Sequence, residues 1–340
     1  MKTLILSDKK IDVAAEILKE GGIVAIPTET VYGLAADAFN KDAVKKIFKS
    51  KNRPNDNPII VHISKYKDLE KIVSNVPEKT SKLIEKFWPG PLTIIFKKTD
   101  LISNVVSGGL DTVAVRMPSL KITRQIIDKS SILAAPSANI SGKPSAVNVK
   151  QVLEDLDGTI DAVVDIPNFS CNIGIESTVI DINDENTTPV LLRPGAVTRA
   201  QIESIIGKID IDPRIIKNVD SQHSVVSSPG LKYKHYAPDT ELIISESERS
   251  DYIKFVNSLD RNKNSALCFD EDLRHINIPC VSYGPENDIN IQSFRLYTAF
   301  REIDDLKTKT CYIRINKFKK NNDGLGIYNR ILRAASFKFS

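Results

Sequence analysis

Short apolar runs alternate with amphipathic segments along most of this chain, and no other feature restricts its fold as strongly. Residues 23–26, 59–63 and 92–96 have the length and β-branched content of buried strands. Residues 11–20 and 41–49 carry apolar side chains at helical spacing. The alternation of these two patterns predicts an α/β fold with a mixed, twisted sheet.

The alternation is interrupted once, between residues 207 and 239. A connection of this length without secondary structure is uncommon inside a compact domain. We therefore expect a first domain over residues 1–206 and a linker over residues 207–239. The alternation then resumes, which predicts a smaller, Rossmann-like α/β domain over residues 240–340. A chain of 340 residues is long enough for two domains.

The composition is that of an ordinary soluble globular protein, with 41% hydrophobic and 26% charged residues. The four cysteines include no C-x-x-C pair, so we expect no zinc site and a reducing compartment. The N-terminal apolar stretch is too short for a signal peptide. No run approaches the roughly 18 apolar residues of a membrane span. These features predict a cytoplasmic protein without a membrane partner.

Charge is distributed unevenly. Residues 41–150 carry 20 Lys and Arg against 9 Asp and Glu, whereas residues 151–206 carry 2 against 10. A local excess of cations attracts polyanions such as ATP or RNA. The competing interpretation is a set of solvated helix faces.

Polar segments flank the predicted strands of the first domain, where open α/β sheets bind ligands. They are PTETVYGL at 27–34, KNRP at 51–54 with NP at 57–58, TVAVRMP at 112–118, PSANISG at 136–142, and IEST at 175–178 with RPG at 193–195. Their hydroxyl, amide and cationic groups suit a small polar ligand or a phosphate.

Each of these segments also has a purely structural interpretation. Lys51 and Arg53 can converge on one anion, or they can decorate a helix end that the helix dipole makes favourable for cations. His62 lies in an apolar run, where a histidine is more often a core residue than a functional one. Arg116 follows a run that is expected to be buried, so its charge needs either a partner or an anionic ligand.

Several common site motifs are absent from the sequence. It contains no G-x-x-x-x-G-K-[ST] phosphate loop, no G-x-G-x-x-G after the first strand, and no G-x-S-x-G nucleophile elbow. The standard NTPase, dehydrogenase and hydrolase interpretations are therefore not supported.

Taken together, the polar segments closely resemble the YrdC-like family of threonylcarbamoyl-AMP synthases, over about residues 8–206. The segments PTETVYGL, KNRP with NPIIVHI, WPGPLTIIF, TVAVRMP, PSANISGKPSA, GIESTVID and LLRPG occur in the order of the family. The peptide SPGLKYKHYAP and the terminal GLG-x4-NR-x2-RAA are similar to the longer, two-domain branch.

The resemblance implies a reaction of L-threonine, bicarbonate or CO2, and ATP, which yields threonylcarbamoyl-AMP and pyrophosphate. A separate complex then transfers the threonylcarbamoyl group to an adenosine beside the tRNA anticodon. Mg2+ is implied with ATP, held mainly by phosphate oxygens. Such a phosphoryl-type transfer depends on positioning and charge stabilisation more than on a dedicated acid or base.

The resemblance also assigns roles to individual residues. The catalytic set is Lys51, Arg53, Ser137 and Asn139. The threonine site is Thr30, His62, Arg116 and Ser177, with Arg116 expected to bind the threonine carboxylate. The ATP contacts are Arg53, Asn57, Thr112, Ser137, Asn139, Ser145, Arg193 and a linker tyrosine, Tyr233 or Tyr236.

Two positions depart from the family pattern. Ala146-Val147 follow Ser145 where the family has Pro-Thr, which removes a polar contact, and Tyr328 stands where an alanine is common. Two other functions stay open at the level of sequence. One is a basic α/β module that binds tRNA or other RNA, weakly or as its main role, without catalysis. The other is a carbamoyl-transfer enzyme of related fold with a different acceptor.

The linker is also a candidate lid over the nucleotide. Tyr233 and Tyr236 stand among basic residues after Pro229-Gly230, which is unusual for a surface linker. The tyrosines are expected either to cover the nucleotide and exclude water, or only to anchor the linker to a domain face.

Overall fold

The computed structural model describes residues 2–167, 169–182, 187–217, 236–315 and 323–340. Within them a mixed sheet of eleven strands forms the first domain, in the order β1-β8-β2-β3-β7-β4-β6-β5-β9-β10-β11. The strands are β1 (Leu4–Ser7), β2 (Val24–Ile26), β3 (Gly33–Asp37), β4 (Val61–His62), β5 (Leu92–Lys97), β6 (Thr112–Arg116), β7 (Leu133–Ala134), β8 (Ala162–Asp165), β9 (Thr178–Asp181), β10 (Val190–Arg193) and β11 (Asp210–Ile211). Parallel and antiparallel pairs both occur, which confirms the predicted mixed sheet.

Helices pack on this sheet around a continuous apolar core. They are α1 (Ile11–Lys19), α2 (Lys41–Lys51), α3 (Leu69–Ile72), α4 (Glu78–Phe87), α5 (Asn104–Ser107), α6 (Lys121–Lys129), α7 (Val149–Leu156) and α8 (Arg199–Ile206). Thr198 begins α8 with a capping box that includes Gln201.

A second, smaller sheet follows, with four parallel strands in the order β12-β15-β13-β14. The elements are β12 (Glu241–Ser245), α9 (Arg249–Asn257), β13 (Asn264–Cys268), β14 (Cys280–Ser282), α10 (Ile289–Asp305), β15 (Thr310–Arg314) and α11 (Leu325–Ala334). Strands and helices therefore alternate in this half, as the sequence predicts.

Several strands of the first domain differ from the prediction. β1, β8 and β11 were not predicted, and β11 lies inside the segment predicted to be a linker but pairs with β10 in the main sheet. The strand expected at 59–63 pairs with its neighbours only over Val61–His62. The amide of Ile59 instead donates to Val106 O in α5. β3 overlaps the polar segment 27–34 and was not predicted, because its sequence Gly-Leu-Ala-Ala-Asp lacks β-branched residues. Pairing with β2 and β7 creates this strand.

The two halves are in close contact. Gly174 has a positive φ of 82°, and a Cβ atom on it would lie 2.4 Å from the Cα of Phe294 in α10. The backbone of the first domain therefore packs directly on the second domain at this point. In the described residues, no helix is both long and apolar enough to cross a membrane.

Candidate active site

The largest group of predicted site residues surrounds one cavity of about 630 Å3 in the first domain. Its polar lining consists of Thr28, Thr30, Arg53, His62, Arg116, Ser137, Glu176, Ser177, Arg193 and Tyr236. All four residues predicted to bind threonine are in this set. The cavity is therefore rich in cations and hydroxyl groups, as the sequence predicts.

Strand register brings these residues together. β4 and β6 are parallel neighbours, and His62 lies directly opposite Arg116. β9 pairs in parallel with β5, which is antiparallel to β6, so the start of β9 lies at the same edge of the sheet as the end of β6. Ser177 immediately precedes β9, and Arg193 ends β10 beside it.

Arg116 forms a buried ion pair on the floor of the site. Its guanidinium lies 2.5 Å from Glu29 Oε1 and donates to Thr30 Oγ1 at 2.8 Å and to Gly90 O at 3.2 Å. Burial opposes ionisation of Glu29, but the charge of Arg116 and its hydrogen bond outweigh burial and hold the Glu29 pKa below its usual value. Any substrate carboxylate at Arg116 has to share the guanidinium with Glu29.

His62 is buried and neutral. Burial and the nearby charge of Arg116 lower the pKa of His62 to about 3. Its Nδ1 lies 3.2 Å from Ile60 O, and a carbonyl accepts only a proton donor, so Nδ1 carries the hydrogen. The other ring nitrogen, Nε2, is then an acceptor for a ligand hydroxyl or N–H group.

This buried histidine predicts a specific loss of stability in acid. The unfolded chain binds a proton on this side chain below pH 6.5, whereas folded His62 does not until about pH 3. The free energy of unfolding should therefore fall with decreasing pH over this window, by up to about 1.4 kcal/mol per pH unit. Urea titrations between pH 4 and 7 would measure this slope.

The control for this prediction is the exposed His275. We expect His62→Gln to flatten the dependence on pH and His275→Gln to leave it as in the wild type. Equal slopes in all three proteins would show that His62 is not the group responsible.

A second cavity of about 250 Å3 adjoins the first. It is lined by Lys51, Asn139, Ser141, Gly142, Lys143 and Ser145, and it shares Arg53, Ser137 and Tyr236 with the larger cavity. Two buried polar atoms, Asn139 Oδ1 and Ser141 Oγ, have no hydrogen-bond partner in the described residues. Polar atoms of this kind are normally satisfied by water or a ligand, so this cavity has room and partners for one of them.

The end of α2 places Lys51 and Arg53. Asn52 takes a left-handed conformation with φ of 50° and ends the helix at Lys51. The amine of Lys51 is buried and donates to the carbonyls of Ser137 and Asn139, so it holds the following loop in place. Burial, and then the charge of Arg53, lower the pKa of Lys51 well below its ordinary value.

Arg53 is directed at the boundary of the two cavities. Its Nε donates to Asn57 O at 3.3 Å and its Nη2 to Pro58 O at 2.8 Å. These two backbone contacts fix the orientation of the guanidinium. Arg53 is therefore the predicted cation that contacts both spaces.

Ser177 and Arg193 form one hydrogen-bonded unit in the wall. Arg193 donates to the carbonyl and to the hydroxyl of Ser177 at 3.0 and 3.1 Å, and the hydroxyl lies 2.7 Å from Thr93 Oγ1. Burial lowers the pKa of Arg193 below its ordinary value.

Comparison with known proteins identifies the family of this chain. One family model, described as "Telomere recombination", matches residues 16–195, and another, described as "Threonylcarbamoyl-AMP synthase, C-terminal domain", matches residues 197–336. A threonylcarbamoyl-AMP synthase of Pyrococcus abyssi is 39% identical over 98% of this chain and 96% of its own length. One of Bacillus subtilis is 42% identical over 98% and 94%. This chain belongs to the threonylcarbamoyl-AMP synthase family.

The similarity extends to the three-dimensional structure. The crystal structure of P. abyssi Sua5 complexed with L-threonine matches with a TM-score of 0.90 at 37% identity, and covers 99% of each chain. The predicted two-domain branch of the family is therefore confirmed, as is the prediction of an enzyme in place of a non-catalytic RNA-binding module.

Most described residues assigned through the family lie at the two cavities, but Thr112 and Asn57 do not. Thr112 lies at the opposite end of β6 from Arg116, and it lines neither cavity in the described part of the chain. Asn57 is buried behind Arg53 and contacts it through its carbonyl. Tyr233 lies outside the described residues, whereas Tyr236 lines both cavities.

Two carboxylates of the threonylcarbamoyl-AMP synthase site were not predicted. Glu29 pairs with Arg116, and Glu176 lies in the wall of the larger cavity. Each is the sequence neighbour of a predicted residue, Thr30 or Ser177, which was the available signal. Across the residues that the structure describes, no group of three His, Cys, Asp or Glu side chains could hold a metal ion.

Proposed function

We propose that this chain catalyses formation of threonylcarbamoyl-AMP and pyrophosphate from L-threonine, bicarbonate or CO2, and ATP. The observation that carries the proposal is the pair of adjoining cavities with Arg53, Ser137 and Tyr236 in their common wall. The larger cavity would hold threonine against His62 and Arg116. The smaller one would hold ATP phosphates.

The reaction is then expected at the common wall. A carbamate oxygen of N-carboxy-threonine forms a bond to the α-phosphorus of ATP, and the bond from that phosphorus to the bridging oxygen breaks. Pyrophosphate leaves with the electron pair of that bond. Arg53 stabilises the charge on the phosphate oxygens, and the loop held by Lys51 orients them.

Mg2+ is proposed to arrive with ATP and to neutralise part of the phosphate charge. Of the unpartnered oxygens, the Ser141 hydroxyl can donate to a phosphate oxygen, and Asn139 Oδ1 can accept from a water of a hydrated ion. A site with few protein ligands for Mg2+ fits the way this ion is usually held.

The product is proposed to pass to the complex that modifies tRNA beside the anticodon, and the enzyme is proposed to act in the cytoplasm.

The direct test of the proposed reaction is pyrophosphate release by the purified protein. We expect release to require threonine and bicarbonate together with MgATP. Pyrophosphate release that ignores threonine would contradict the proposal.

Discrimination among amino acids should reveal the hydroxyl contact. Valine matches threonine in shape but lacks the hydroxyl group, so a site that binds this group should reject valine by about 10⁴–10⁵-fold in kcat/KM. Serine lacks only a methyl group and should lose about 10–200-fold. Comparing kcat/KM for the three amino acids measures both effects, and similar values for valine and threonine would be incompatible with the assigned pocket.

A further inference from the structure

A cation of the second domain reaches the wall of the site. Arg330, in α11, is fully buried. Its Nε donates to Glu176 Oε2 at 2.8 Å, and its Nη1 donates to Pro194 O at 2.8 Å. Both partners belong to the first domain, and Glu176 itself lines the larger cavity.

The carboxylate of Glu176 is shared between the two domains. Oε1 accepts the hydroxyl of Ser145 at 2.5 Å, from the loop that lines the smaller cavity. Oε2 accepts hydrogen bonds from Arg330 Nε and from the hydroxyl of Tyr297 in α10, both at 2.8 Å. One side chain thus joins the wall of the site to two helices of the second domain.

Tyr236 of the linker is part of the same cluster. Its ring stacks on Tyr297 with centroids 5.5 Å apart, and the guanidinium of Arg330 lies 5.3 Å from the ring centre. Tyr236 has a left-handed backbone with φ of 64°, and its ring lines both cavities. Arg330 therefore contacts Tyr236 of the linker and both Glu176 and Pro194 of the first domain.

Electrostatics give this contact a consequence for ATP. Glu176 lines the larger cavity and binds Ser145 of the smaller one, where ATP phosphates are proposed to lie. An uncompensated buried anion at this position would repel phosphate. Arg330 supplies the compensating charge from behind the wall. We infer that Arg330 is a positioning residue of the nucleotide site, through which the second domain makes Glu176 compatible with ATP binding. The inference rests on the proposed function.

The test is Arg330→Met in the full-length protein, compared with the double variant Arg330→Met/Glu176→Gln. We expect the single variant to raise KM for ATP about 10- to 100-fold, with a smaller change in KM for threonine. The double variant removes both charges and should recover most of the loss. A double variant no better than the single one would overturn the inference, because the uncompensated charge of Glu176 would then not be the cause of the loss.

Arg301→Met is the matched control. Arg301 also joins the domains, through Asp155 at 2.9 Å, but it lines neither cavity within the described ranges. We expect the KM of the Arg301→Met variant for ATP to stay within about threefold of the wild-type value. An equal rise in both variants would show that domain docking alone matters, and would overturn the specific role of Arg330.

Two further measurements keep the test decisive. If Arg330→Met does not fold, Arg330→Lys retains the charge but loses the contact to Pro194 O, and we expect KM for ATP to rise several-fold with KM for threonine unchanged. Parallel changes in both constants would contradict the inference. Calorimetric binding of MgATP without threonine separates the two proposals, because it tests Arg330 even if the wild type releases no pyrophosphate.

Discussion

Arg53→Ala should lower the rate of threonylcarbamoyl-AMP formation by about 10²–10³-fold, the usual cost of removing one charge-stabilising contact. Arg53 lines both cavities and is oriented by the carbonyls of Asn57 and Pro58. Its loss removes a cation from the position where phosphate charge is proposed to develop. The measurement is kcat for pyrophosphate release at saturating ATP and threonine.

Two variants complete this experiment. Arg53→Lys keeps the charge without the planar fork and should recover only part of the activity. Lys49→Ala removes an exposed cation from the last turn of α2 and should leave kcat unchanged. Normal turnover by a folded Arg53→Ala protein would mean that the cations at 51–54 only favour the end of α2, as the structural interpretation of this segment holds.

Local patterns predicted a large part of the fold. The strand at 92–96 was found because it is apolar, β-branched and followed by polar residues. β1, β3, β8 and β11 were missed. β1 has two largely exposed side chains, Leu4 and Ile5, and lies at the edge of the sheet, so it lacks the signature of a buried strand.

The candidate site was predictable where its residues occur in compact motifs, and was not where they pair over long distances. Lys51, Arg53 and the 136–142 loop are each part of a short segment with family-like sequence. The pairing of Glu176 with Arg330 spans 154 positions and joins two domains. No local pattern encodes such a pair, because only the packing of α11 on the first domain creates it.

The linker was predicted with mixed success. Tyr236 lies at both cavities, so one of the two candidate tyrosines lines the site. The ring of Tyr236 stacks on Tyr297, as expected if this tyrosine anchors the linker to a domain face. Tyr236 also lines the cavity proposed for ATP. Pro229-Gly230 and Tyr233 lie outside the described residues, and the lid stays a prediction.

Lys51→Met is expected to impair both stability and catalysis. The amine of Lys51 is the donor to two buried carbonyls, those of Ser137 and Asn139. Leaving two buried acceptors unsatisfied should lower the free energy of unfolding by about 2–5 kcal/mol. The loop would also shift relative to Arg53, and a displacement of about 1 Å can cost about 10²-fold in rate. Urea denaturation and kcat are the two measurements.

Lys46→Met is the matched control, because Lys46 lies on the same helix and also donates to a carbonyl, that of Gly21, at 2.7 Å. The Lys46 side chain is exposed and lines neither cavity in the described residues, so its removal should cost less than about 1 kcal/mol of stability and leave kcat unchanged.

The comparison also decides how Lys51 acts. If Lys51 contacts ATP phosphates directly, as its family assignment implies, Lys51→Met should lose activity and keep wild-type stability. If Lys51 acts by holding the 137–139 backbone, as its hydrogen bonds indicate, the losses of stability and activity should occur together, because both follow from release of the same loop.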